Sequence, residues 1–121
     1  MGLSLDISPL RSPVDLTRTR ILCGDRLRFD EDHSVFLQIN GFDGKTKPTI
    51  KVEKLPAALW VETYEEGGIH KSRTDRSGAE ITFAYAYELK KLDVSKSTPK
   101  NKAIVAFIGS LPDDTPVLLF W

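Results

Sequence analysis

The sequence predicts an all-β domain, a single antiparallel β-sandwich of about 7–9 strands, with a partly open β-barrel as the alternative. Three observations carry this expectation. Short apolar runs alternate with polar residues at period two, turn residues recur about every 8–12 positions, and no segment shows sustained helical periodicity with caps. The chain has 121 residues, of which 40% are hydrophobic. That amount suits one domain spanning 1–121 with a core of its own.

The elements follow in order along the chain. Leu3, Leu5 and Ile7 alternate with small or polar residues until Ser8-Pro9, and Pro13 marks a loop. Thr17 to Leu22 is a second strand, closed by Cys23-Gly24-Asp25. Leu27 and Phe29 alternate with Arg26, Arg28 and Asp30. The polar cluster Asp30-Glu31-Asp32-His33 has no apolar face to bury and reads as a turn. Val35, Leu37 and Ile39 share one face of the next predicted strand, which ends at the glycine-rich segment 40–44. Ile50 and Val52 form a short piece before Leu55-Pro56. Leu59, Val61 and Thr63 then alternate with Trp60, Glu62 and Tyr64.

Gly67-Gly68 opens a polar loop predicted to run to about Gly78. From Ala79 to Leu89, five large side chains (Ile81, Phe83, Tyr85, Tyr87, Leu89) occupy successive odd positions. This predicts the longest strand and the centre of the core. Lys90–Lys102 reads as a loop. Ala103–Ile108 is apolar on both faces and reads as a central strand, and Val117–Trp121 is the last strand.

The charges exclude some classes of function. Seventeen basic and 17 acidic residues cancel, which argues against nucleic acid and against an anionic membrane surface as partners. The run 90–102 holds five Lys against Asp93, most simply a solvated loop. No apolar stretch reaches the roughly 18 residues of a membrane-spanning helix. A single cysteine, Cys23, cannot form an internal disulfide, and no secretion signal is evident at the start. Both point to a cytoplasmic protein. Gly2 is followed by Asp6 rather than Ser or Thr, so myristoylation is not expected.

Each catalytic constellation lacks a component. Two histidines and one cysteine do not make a structural zinc site. Asp30, Glu31 and Asp32, even with Asp43, Asp113 or Asp114, lack EF-hand spacing for calcium. His33-Ser34, and His70 with Ser72 and Asp75, supply triad residue types without a nucleophile elbow. Glu80 and Glu88 stand too far apart on one strand to act as a carboxylate pair. Gly44-Lys45-Thr46 lacks the upstream glycine of a phosphate loop and is followed by proline. Neither a cofactor nor a metal is therefore expected.

What remains is a non-catalytic binding domain acting on a protein partner or on itself. Five apolar residues at the end of the chain suggest a strand edge that a second subunit would cover. That makes Val117, Leu119, Phe120 and Trp121 the expected contact residues of a homodimer. The alternative is a carbohydrate- or small-ligand-binding module. It would use Trp60, Glu62 and Tyr64, which share one side of a strand, although core packing is the favoured reading of Trp60. A small hydrolase assembled from Asp30, Glu31, His33 and His70 is the third reading.

Overall fold

Residues 3–121 are described by the computed structural model; the reading of Met1-Gly2 lies outside them. Among these residues the fold is β-rich, with eight strands in two sheets. The strands are β1 (Asp6–Pro9), β2 (Arg20–Leu22), β3 (Leu27–Arg28), β4 (Glu53–Lys54), β5 (Trp60–Glu65), β6 (Gly68–Ser72), β7 (Thr82–Tyr85) and β8 (Pro116–Phe120). Three α-helices, α1 (His33–Asn40), α2 (Ala86–Leu89) and α3 (Pro99–Gly109), and a 3-10 helix at Pro13–Thr17 interrupt them. The larger sheet runs β3-β1-β8-β7-β4 and is antiparallel throughout. The smaller runs β2-β5-β6, and its β2–β5 pair is parallel.

The larger sheet buries both faces, and β8 shows why. Val117 and Leu119 enter one apolar cluster with Leu5, Ile7, Ala84 and the helical residues Val35, Phe36, Ile39, Ile104 and Ile108. Leu118 and Phe120 enter a second cluster with Ile81, Phe83 and residues of the smaller sheet region, Ile21, Leu59 and Val61. Successive side chains of a strand point to opposite faces, so a strand apolar at every position suits a sheet covered on both sides. Helices cover one face here and the smaller sheet the other.

Four predicted segments are corrected. Val35–Ile39 is helical. Asp32 caps α1, its carboxylate accepting the Val35 N–H at 3.0 Å. Gly41 ends the helix at φ 56° and donates to the Leu37 carbonyl. The buried residues are Val35, Phe36 and Ile39, a helical stripe, and Leu37 fits the period-two pattern only by coincidence. Ala103–Ile108 lies in α3, where Thr98 caps, Pro99 occupies the first turn, and Asn101, Ile104 and Ile108 face inward. Both ends of the helix reach beyond the apolar run, and the start falls inside the predicted loop.

The segment 79–89 is a strand only from Thr82 to Tyr85, then turns into α2. Ile81 and Phe83 face the smaller sheet, whereas Leu89 packs with the helices and Tyr87 is exposed. The predicted loop after Gly67 contains β6, which pairs with β5 across a tight turn in which Gly67 has φ 94°. Its side chains are largely exposed, so no apolar alternation marks it. The architecture is thus two sheets with an added helical layer, and one strand pair is parallel.

Candidate interaction surface

The smaller sheet has one covered face and one open face. Val61 is buried beneath it, and Ile21 of β2 lies beside it in the same cluster. The residues that alternate with them along each strand therefore point outward. On β5 these are Trp60, Glu62 and Tyr64. Register adds their neighbours: Arg20 lies beside Trp60, Leu22 beside Glu62, Lys71 opposite Glu62, and Ile69 opposite Tyr64. Four large apolar side chains are left in solvent: Trp60 is 42% exposed, Ile69 56%, Leu22 59% and Tyr64 77%. Charges interleave them, and the Lys71 ammonium lies 5.8 Å from the Trp60 ring centroid. Scattered exposed apolar residues are ordinary; here four lie on one sheet face, with Glu62 and Lys71 among them.

Several bonds hold this face in place. The Thr19 carbonyl accepts the Trp60 N–H at 2.9 Å, and the Glu62 carbonyl accepts the Cys23 N–H at 2.7 Å, tying β2 to β5. Arg73 donates to the Pro56 carbonyl at 2.8 Å and to the Leu59 carbonyl, and pairs with Glu80 at 2.9 Å. One guanidinium thus fixes the turn that feeds Trp60 into β5.

The terminal strand has no free edge. β8 lies between β1 and β7, and Val117, Leu119 and Phe120 are buried. Trp121 packs edge-on against Phe36, ring centroids 5.4 Å apart, and its N–H donates to Asp75 at 3.2 Å. The expected association surface at Val117–Trp121 is therefore corrected: sheet pairing on both sides already satisfies this strand. Cys23 is buried and unpaired, in the apolar cluster under the smaller sheet.

The hydrolase residues separate. His33 begins α1 and packs edge-on against Phe42, ring centroids 5.1 Å apart. His70 is on β6 and lines a hollow of about 280 Å³ with Glu65, Ser72, Asp75, Arg26 and Arg76. This hollow gathers His70, Ser72 and Asp75, but the polar atoms of Ser72 and Asp75 are engaged elsewhere. Ser72 Oγ accepts the Thr74 N–H at 2.9 Å, and Asp75 accepts the N–H groups of Ser77, Ala79 and Trp121.

Several of the carboxylates considered for chemistry are tied into the fold, whereas Glu31 is exposed. Asp30 accepts from the Thr98 hydroxyl at 3.0 Å and pairs with Lys100 at 3.4 Å. Burial pushes the Asp32 carboxyl up, but the Ser97 hydroxyl, the Val35 N–H, the Asn101 amide and the Ser34 N–H outweigh it, and the net shift is downward. Glu88 is held below the usual carboxylate range by the Lys91 ammonium and the Lys51 N–H, against the cost of burial. Asp43 is lowered by the Thr46 and Lys45 N–H groups, so the segment resembling a phosphate loop is an Asx turn closed on its own carboxylate. No cluster of three or more metal-ligating side chains occurs among the described residues. Nor is any described helix long and apolar enough to cross a membrane.

Parity along β5 identified Trp60, Glu62 and Tyr64 as a set. Leu22, Ile69 and Lys71 join them only through pairing between strands, which has no local signature. No protein-family model, curated protein or solved structure matches this chain.

Proposed function

We propose that the chain is a non-catalytic interaction domain whose contact surface is the open face of the smaller sheet. The supporting observation is the exposed set Leu22, Trp60, Tyr64 and Ile69 around Glu62 and Lys71. Trp and Tyr are the side chains most often dominant in protein contacts, because each buries a large rigid area and keeps a polar tip. The domain acts through protein–protein contacts, and its one buried thiol suits a reducing, cytoplasmic setting.

The test places a photo-cross-linking amino acid at Tyr64, and separately at exposed Phe107 on α3, in cells that naturally express the chain. Cross-links to protein should form from position 64 and disappear when Trp60→Ser is added. Equal cross-linking from both positions, or cross-links from 64 unaffected by W60S, would overturn the reading. The sugar-binding alternative uses the same two aromatics. It gains support only if oligosaccharides, and no protein, change the fluorescence of Trp60.

A further inference from the structure

Resting on that reading, we infer that the partner of the open face is a second copy of this chain, packed face to face about a two-fold axis parallel to β5 and β6 and midway between them. The argument is the arrangement of side chains across the two strands. Glu62 stands opposite Lys71 and Tyr64 opposite Ile69. A rotation about the proposed axis leaves position along the strands unchanged and exchanges β5 with β6. Glu62 then meets Lys71 of the second copy, Tyr64 meets Ile69, and each contact occurs twice, as an isologous interface requires.

Three other axes fail on the same residues. An axis lying along β5 sets Glu62 against Glu62. An axis across the strands at the level of Glu62 sets Glu62 against Glu62 and Lys71 against Lys71. Moved halfway toward Tyr64, the crosswise axis puts both charges against apolar side chains. Like charges or unpaired charges at the centre of a contact oppose association. Neither Glu62 nor Lys71 takes part in an ion pair among the described residues, so both are available to a second copy.

The size of the surface sets the strength. Two strands joined by five register pairs present a ribbon about 10 Å wide and about 16 Å long. That is well below the roughly 800 Å² per partner of a tight complex. The dimer is therefore weak, concentration-dependent and sensitive to salt.

Sedimentation equilibrium of the purified chain, carried to millimolar concentration, tests this. The wild type should dimerise. Glu62→Lys alone and Lys71→Glu alone should each weaken association by at least about tenfold, since each sets like charges together twice. An equimolar mixture of the two variants should recover association, because both contacts across the mixed dimer are then between opposite charges. Both substitutions are at the surface, and unchanged circular dichroism checks that each variant folds. A wild type monomeric at millimolar concentration overturns the second copy as partner. The broader reading then stands or falls on the cross-links from position 64. A dimer indifferent to both substitutions, or a mixture that does not recover, overturns the proposed two-fold.

Discussion

Asn101 is the most consequential polar side chain in the molecule. It has no exposed surface, and all of its amide is used. The side-chain oxygen accepts the Asp30 N–H at 2.8 Å, and the nitrogen donates to the Asp30 carbonyl and the Asp32 carboxylate, each at 3.1 Å. It thereby fastens α3 to the chain entering α1. Asn101→Ala removes three hydrogen bonds to half-buried partners and should cost about 1–3 kcal/mol in urea denaturation; a loss below about 0.5 kcal/mol, the scale of an ordinary surface change, would contradict this role. Asp32 and Glu88 add a pH dependence. Both carboxyls lie below their ordinary values in the folded chain, so the unfolded chain takes up protons first as pH falls. Their stabilisation is complete above about pH 5 and is lost as pH drops through the ordinary carboxylate values near 4 and then through the folded ones. The melting temperature should fall on that acid limb, and Glu88→Gln should make the fall shallower.

At the scale of elements, caps decide what hydrophobic spacing leaves ambiguous. Gly41 has φ 56°, and a Cβ there would collide with the Thr46 carbonyl. Gly41→Ala should therefore cost more than about 1 kcal/mol and loosen α1, seen as faster amide exchange at Leu37 to Gly41; unchanged exchange would contradict the capping role. The same logic separates what was legible in the sequence from what was not. β5 could be read because its residues alternate at period two, and β8 because it is apolar at every position. The helices α1 and α3 were missed because Val35, Leu37 and Ile39 fit period two while Val35, Phe36 and Ile39 fit the helical period, and Ala103–Ile108 satisfies neither clearly. The deciding signals were present at their ends: Asp32 with Gly41 for α1, and Thr98-Pro99 for α3. β6 was invisible for another reason. An outer strand facing solvent needs no apolar pattern, and only its partner β5 defines it.

For the whole molecule, the layer order assigns the roles. The larger sheet is covered by helices on one face and by the smaller sheet on the other, so its central strand β8 is committed to the core. The smaller sheet is the outermost layer, and its open face carries Trp60 and Tyr64. That Trp60 and Tyr64 share a side was readable from the alternation of β5. Which side lies open was not, since burial of a sheet face depends on what distant segments pack against it. Hydroxyl-radical footprinting tests the resulting account most directly, comparing the dilute purified chain with the chain inside cells that express it. Trp60 and Tyr64 should be oxidised readily in dilute solution and protected in the cell, while Phe107 is labelled in both and Leu118 and Phe120 in neither. Equal labelling of Trp60 and Tyr64 in the two settings, or protection confined to Phe107, would contradict it.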